Sequence, residues 1–332
     1  MDSIPLPPLT LGRYQFELTL EEPARLPAYL GGMLRGGFGV TFKRLVCMQP
    51  HLKRCSDCLL LHTCAYPAIF EPAPPPDAEV LSTHERIPVP YVFEPRPRRE
   101  AAWQAGEPLR FGLGLIGQGI TYMPYFVLAF QNLGRQGLGS RRKQAKLTQV
   151  VAVEADGNGQ APLWHADRLR HDWATCGQWH AQDIETPDRV TPALTLHFHT
   201  PTRLKHRGHY VQETPPFHVV FRTLLRRVSS LSYFYAGQPW DVDYRGWIEQ
   251  AKQVDVAEAQ ISWQNWERYS TRQRQRMNLG GVVGSVTYRS DASNGLDMGL
   301  SPFLPLLRLG ELIHVGKGAV FGNGQYEVII EA

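Results

Sequence analysis

The chain has 332 residues, 43% of them hydrophobic and 20% charged, which is enough apolar material for two separate cores. No apolar run approaches the roughly 20 residues of a membrane span, and the N-terminus lacks the basic, apolar, small-residue order of an export signal; the expectation is a soluble cytoplasmic protein with no membrane partner. Net charge is only +4 with a pI near 8.8, so the distribution of charge carries more information than its sum.

In chain order, Tyr14, Phe16, Leu18 and Leu20 alternate with polar residues, the pattern of a half-buried strand. Pro27 opens a helical stretch through Met33, Leu34, Phe38 and Leu45 that contains Gly31, Gly32, Gly36, Gly37 and Gly39. Each glycine costs a helix about 1 kcal/mol relative to alanine, so this many implies either close approach to the helix or a short, irregular one. A cysteine-rich segment follows, and Pro72 to Asp77 reads as an extended loop. Leu109, Phe111, Leu113 and Leu115 alternate as a second strand, Tyr122 to Leu133 reads as a helix, and Leu147 to Val153 as another strand. Asp156-Gly157-Asn158-Gly159 has the composition of a hairpin turn. Trp164 to Asp188 is mixed and polar and takes no assignment.

The second half repeats this grammar. Leu194, Leu196 and Phe198 alternate; Pro216 opens a helix with Val220, Leu224, Val228, Leu231 and Phe234 on one face, closed by Gly237. Val283 to Tyr288 reads as a strand, Pro302 to Leu309 as a short helix, and Tyr326 to Ile330 as a last strand. Strand, helix, strands, helix, strand in both halves is the βαββαβ order. The predicted fold class is therefore α+β, with tandem ferredoxin-like (RRM-like) domains over residues 1–190 and 191–332, joined near Pro187 to Pro192; one large α+β domain is the competing arrangement.

Two glycine-basic loops mark corresponding places in the halves. Gly134-Arg135-Gln136-Gly137 runs into Arg141, Arg142 and Lys143, and Gly316-Lys317-Gly318 is followed by Gly322-Asn323-Gly324. Successive amides in such loops can form a concave anion site, or the glycines can simply make a tight hairpin. A dinucleotide fingerprint is excluded because a strand, not a helix, follows. Basic residues segregate: Arg35, Lys43, Arg44, Lys53 and Arg54 occur with no acid between them, as do Arg135, Arg141, Arg142, Lys143 and Lys146, and Arg268, Arg272, Arg274 and Arg276 form a third group near Trp263, Trp266 and Tyr269. Clusters of this kind point to a polyanion surface, with aromatic rings available to stack on bases. His206, Arg207 and His209 read as a polar exposed loop. Arg226 and Arg227 sit within a helix, with one of the two facing outward.

Four of the five cysteines lie at Cys47, Cys55, Cys58 and Cys64. Cys55-x-x-Cys58 is the common two-ligand turn of a structural zinc site, which Cys47 and Cys64 would complete. An iron–sulfur cluster also uses four thiolates, and four unpaired cysteines are the third option. With no export signal a disulfide framework is not expected, and a closed thiolate site would be structural rather than catalytic.

The terminal run His314-Val-Gly-Lys-Gly-Ala-Val-Phe-Gly-Asn-Gly-Gln-Tyr326, the paired glycine loops and the helix Leu34-Arg35-Gly36-Gly37-Phe38-Gly39 resemble the CRISPR precursor-RNA processing endoribonucleases of the RAMP superfamily. Cys64-Ala-Tyr-Pro-Ala-Ile-Phe-Glu-Pro resembles a subgroup of that family with a four-cysteine insertion. The resemblance covers most of the chain and is weakest between Trp164 and Asp188. It implies tandem ferredoxin-like domains, binding of CRISPR repeat RNA and the mature guide, and one metal-independent cut per repeat, with no cofactor in the chemistry; other subunits of a CRISPR effector complex are the implied protein partners. It also places the catalytic groups in or just after the first helix, at Tyr29, Arg35, Lys43 and His51. Relatives with this helix often carry a histidine directly after the Phe-Gly pair, where this chain has Val40. That departure favours a second reading, a non-catalytic subunit that holds guide RNA. A zinc-stabilised protein adaptor without an RNA role is the third, and the basic clusters argue against it.

Overall fold

The N-terminal unit is organised by the alternation in its first strand. The computed structural model describes residues 2–96, 101–154, 159–186, 189–265, 267–270, 275–290 and 298–330. It divides into two compact units, Thr10–Trp179 with Tyr233–Ala236, and His180–Ser232 with Met1–Leu9 and Gly237–Ala332. The division falls between Trp179 and His180, ahead of Pro187 to Pro192, part of which lies outside the described residues.

In the first unit β1 (Thr10–Leu20) is followed by α1 (Gly31–Val46), α2 (Ala65–Phe70), β2 (Tyr91–Pro95), β3 (Pro108–Ile116), α3 (Met123–Gln136), β4 (Ala145–Val153) and β5 (Gln160–His165). The sheet order is β2-β3-β1-β4-β5, all antiparallel. Register sets Tyr14 opposite Leu113, Phe16 opposite Phe111 and Leu18 opposite Leu109, so one face of the sheet is continuously apolar and buried. Phe38 of α1 sits at the centre of what covers it. Its ring is parallel to Phe126 of α3 at 4.3 Å and to Phe42 at 5.1 Å, and it meets Tyr91 and Phe93 of β2 edge-on.

The glycines of α1 are explained by this packing. A β-carbon at Gly37 would lie 2.6 Å from the Leu133 side chain of α3, and one at Gly39 would collide with the Phe70 ring of α2. Gly36, by contrast, is exposed and a β-carbon there would meet nothing within 4 Å. Opposite effects are therefore expected from one type of substitution. Gly36→Ala should raise stability by up to about 1 kcal/mol, the helix-propensity gain. Gly39→Ala should lower it by about 1–3 kcal/mol, because the Phe70 ring must move within a packed core. Denaturant midpoints of the two variants check this; a loss at Gly36 would mean that its face of the helix is covered.

The second unit repeats the plan. β6 (Ala193–Thr202) leads through a small hairpin, β7 (Lys205–His206) and β8 (His209–Tyr210), to α4 (Phe217–Tyr235), α5 (Tyr244–Ala251), β9 (Val254–Gln264), β10 (Gly281–Ser290), α6 (Leu304–Ile313) and β11 (Tyr326–Ile330). Its main sheet runs β9-β10-β6-β11. Counting only the four strands of each βαββαβ repeat, both sheets have the second, third, first and fourth in spatial order. These are tandem ferredoxin-like folds. Leu194, Leu196 and Phe198 point into a core closed by Phe217, Phe221, Leu224 and Phe303. The first residues of the chain belong to this unit: the Ile4 amide donates to Pro302 O at 3.0 Å and Trp240 Nε1 donates to Pro5 O at 2.9 Å. The expected hairpin turn at Asp156-Gly157-Asn158 lies outside the described residues.

Candidate nucleic-acid interface

The terminal glycine loop is built mainly by contacts of the chain with itself. α6 ends at His314, which is buried and has φ +61°. Gly316, Gly318, Gly322 and Gly324 all have φ between +74° and +91°, a region that L side chains rarely enter. A β-carbon at Gly324 would collide with the Val315 carbonyl, and one at Gly316 would stand 2.6 Å from the Arg203 carbonyl. The loop amides are engaged internally: Val315 N to Gly324 O at 2.9 Å, Lys317 N to Arg203 O at 3.0 Å and Gly322 N to Ala319 O at 2.8 Å. Gly322 and Gly324 are buried, whereas Gly316 and Gly318 are half-buried and Lys317 is exposed. Only the Gly316-Lys317-Gly318 corner faces outward, so the expected contact by all four glycines narrows to that corner.

Beside the corner stands a cationic–aromatic group that includes the expected polar loop of His206, Arg207 and His209. In the β7–β8 hairpin, Arg207 and Gly208 both have positive φ, +48° and +87°, the conformation of a two-residue type I′ turn. The turn presents Arg207 and His209 to solvent. Tyr210, half-buried, is shared by three cations: the Arg203 guanidinium lies 4.2 Å from its ring centroid, Lys205 Nζ 5.5 Å, and Lys317 Nζ donates to its hydroxyl at 3.3 Å. Behind the hairpin the rings of His206 and His218 meet edge-on at 5.5 Å, and Arg222 approaches His206 Nδ1 at 3.5 Å. Burial, then Arg207 and Arg222, hold the His206 imidazole below the usual histidine range. Burial, then His206 and Arg222, do the same for His218. Both rings are thus neutral at pH 7, and gain charge only in acid. The dipeptide Arg207-Gly208 between two histidines was the available signal for this hairpin. Of the helical pair, Arg226 is exposed while Arg227 Nε donates to Ile313 O at 2.8 Å.

The loop in the first unit is a closed hairpin rather than an amide cradle. Leu138 and Lys143 exchange both backbone hydrogen bonds, at 2.7 and 3.0 Å. Gly137 and Gly139 supply the positive φ that the turn needs. Arg141 and Arg142 are exposed at the tip and Arg135 is exposed at the end of α3. Lys143 is held by Glu22 at 2.6 Å, so three exposed arginines remain for an anion. Of the third cluster, Arg272 and Arg274 lie outside the described residues, as does Trp266. Arg268 and Arg276 sit on two short paired strands, Glu267–Ser270 and Gln275–Asn278, where their backbones are one position out of register. Trp263 is half-buried, its Nε1 donating to Asn265 Oδ1 at 2.9 Å.

The four residues expected around the first helix occupy different surroundings. The Arg35 guanidinium lies 4.2 Å from the Phe70 ring centroid, and its charge bears on the buried Tyr91 phenol. Lys43 Nζ is 5.5 Å from the Tyr66 ring centroid. Burial pushes the Tyr29 phenol well up, so it stays protonated through neutral pH. His51 is exposed in the turn after α1. Val40 is 52% exposed on α1, an apolar side chain facing solvent. Cys47, Cys55, Cys58 and Cys64 are free thiols, half-buried, and line one recess with Lys43 and Arg54. Burial pushes the Cys55 thiol up, Lys43 pulls it down, and Glu71, Cys64 and Cys47 push it up further. Among the described residues no group of three or more His, Cys, Asp or Glu side chains is gathered closely enough to hold a metal ion as it stands.

Residues 9–174, half of the chain, match AF_1859_N, a family described as an N-terminal domain. Residues 196–326, which contain the hairpin and nearly all of the glycine loop, match the CRISPR-associated endoribonuclease Cas6 family. The chain carries an AF_1859_N domain over its N-terminal half, and its C-terminal part is similar to the Cas6 endoribonuclease family. An uncharacterized protein of Archaeoglobus fulgidus is 24% identical over 315 residues, 91% of this chain and 92% of that one. The product complex of a Thermus thermophilus Cas6 is similar over 97% of this chain and 99% of that one, at 17% identity and a TM-score of 0.54. A partial Cas6-RT-Cas1–Cas2 complex is similar over all of this chain and 47% of that one, at 13% identity and a TM-score of 0.58. At these identities the solved structures establish the fold, the tandem ferredoxin-like arrangement of Cas6 proteins. No helix among the described residues is long and apolar enough to cross a membrane.

Proposed function

We propose that this chain binds CRISPR repeat RNA and cuts precursor CRISPR RNA once per repeat, with the 2′-hydroxyl beside the scissile phosphate as nucleophile and no metal ion in the chemistry. The observation that carries the reading is the Lys317–Tyr210–Arg203–Lys205 group, which sits inside the stretch that matches the Cas6 family. Cations around an aromatic ring suit a single-stranded nucleic acid, with charge for phosphates and a face for a base. The product complex named above supports RNA as the ligand.

In the reaction the 2′-oxygen bonds to phosphorus and the bond to the 5′-oxygen breaks. One product ends in a 2′,3′-cyclic phosphate and the other begins with a 5′-hydroxyl. A base takes the 2′ proton, an acid returns one to the leaving oxygen, and cations stabilise the charged phosphorane. His51, exposed and carrying the side chain most often used as a general base, is the proposed base. Tyr29, kept protonated by burial, can donate but not accept. Arg35 and Lys43 supply fixed positive charge. Incubation with repeat RNA in excess chelator, with both new ends mapped, tests the reading. One cut per repeat with a cyclic phosphate is expected; products with a 5′-phosphate, or cleavage only when a divalent ion is restored, would overturn it.

Exposed Val40 favours the second reading, a guide-RNA-holding subunit of a CRISPR effector complex. Tight repeat binding with no cleavage under any of these conditions is its signature.

A further inference from the structure

We propose that Cys47, Cys55, Cys58 and Cys64 bind one zinc ion, and that this ion is what holds the segment between α1 and α2 in place. The argument is independent of RNA chemistry. No residue from 47 to 64 is buried. Met48 and Leu59 are 80% and 96% exposed, so the segment has no apolar core of its own. Small elements in that position need a staple, either a disulfide or a metal. The side chains that do turn partly inward are the four cysteines, with Leu52, Leu61 and Gln49 between them. All four thiols reach the same recess, and none is in a disulfide.

The backbone turns are those that present thiols. The Cys58 amide donates to Cys55 O at 3.0 Å, the Leu61 amide to Cys58 O at 3.1 Å and the Cys47 amide to Lys43 O at 2.9 Å. Arg54 clasps Asp57 through two hydrogen bonds, at 3.2 and 3.0 Å, across the first of these turns. Cys47 closes α1 and Cys64 precedes α2, so an ion held by all four would tie two helices and the loop between them at one point. Four sulfur donors select a thiophilic ion of tetrahedral habit, and zinc meets both conditions with bonds of about 2.3 Å. Each thiol releases its proton to solvent as its bond to the ion forms. The resulting excess negative charge is offset in part by Lys43, which lines the same recess. Among the described residues no three thiols stand at ligand spacing, so the proposal requires the segment to contract around the ion as it binds. A closed four-thiolate site leaves no position for substrate, so the ion's role is structural.

The test is the metal content of the full chain purified without chelator. About one zinc per chain is expected, and exchange into cobalt(II) should give the intense absorbance of a tetrahedral thiolate complex. Cys55→Ser combined with Cys58→Ser should lose both signals, while Cys176→Ser keeps them. Chelation should speed hydrogen exchange across residues 47–64 at least about tenfold while leaving β1 unchanged. Zinc near zero together with no cobalt–thiolate absorbance in the parent chain would overturn the proposal. So would iron with the visible absorbance of a cluster.

Discussion

His51→Ala is expected to slow single-turnover cleavage of repeat RNA about 10²–10⁴-fold, the usual contribution of a general base, while repeat binding persists. The imidazole is exposed just beyond the last turn of α1, where an RNA strand can reach it, and its loss removes no buried contact. The neighbouring candidates cannot take its place. Arg35 and Lys43 are cations with no basic lone pair at neutral pH, and the Tyr29 phenol is pushed too far up by burial to accept a proton. A repeat with a single 2′-deoxy residue at the cut site provides the companion measurement: it should bind and remain intact, because the nucleophile itself is gone. If His51→Ala cleaves at the parent rate while the deoxy repeat stays intact, the mechanism stands and the base lies elsewhere. His206 is then the next residue to replace. Burial and the nearby Arg207 and Arg222 keep its ring neutral, and a base must be neutral before it can accept.

Much of the fold was legible because most of its strands have one wet face. The alternation Tyr14, Phe16, Leu18, Leu20 became β1, and the helical period after Pro216 became α4. Two of the strands that the sequence pattern does not mark depart from it in opposite directions. All five residues of β2 are buried, the Arg13-paired Glu94 included, so no alternation of wet and dry faces marks it. Nearly all of β9 is exposed, so no apolar stripe marks it. The glycines of α1 leave close approach and a short, irregular helix both open in the sequence; the structure selects close approach at Gly37 and Gly39, by Leu133 and Phe70, and not at Gly36. The terminal loop was legible as glycine-dependent, but not as a loop that uses Gly316 and Gly324 to pack against the chain's own carbonyls. That requires knowing that the Arg203 and Val315 backbones lie alongside. The β7–β8 cluster is not legible in the sequence because its cations are scattered: Arg203, Lys205 and Lys317 share one ring only after α6 and the glycine loop have folded back.

Reversing charge at Lys205, Arg207 and Lys317 together is expected to weaken repeat binding about 100-fold at low salt and to flatten its salt dependence, with log K against log salt shallower by about 2, since each phosphate contact on a single strand contributes about 0.7 to that slope. The three side chains are exposed, and their removal leaves the carbonyl-packed glycines untouched, so the chain should keep its thermal midpoint. The same reversal at Arg141 and Arg142 probes the other hairpin, where Lys143 is best left alone because Glu22 already holds it. Acid provides an independent readout of the first surface. As pH falls below the ordinary histidine range, His206 and His218 take up protons that burial and the adjacent arginines had kept off. Positive charge at the hairpin then grows and RNA binding should tighten, an effect that His206→Gln with His218→Gln should abolish. Parent-like affinity and slope in the triple variant would take the hairpin and the Gly316-Lys317-Gly318 corner off the path of the RNA. A loss confined to the Arg141 and Arg142 variant would move that path to the N-terminal unit.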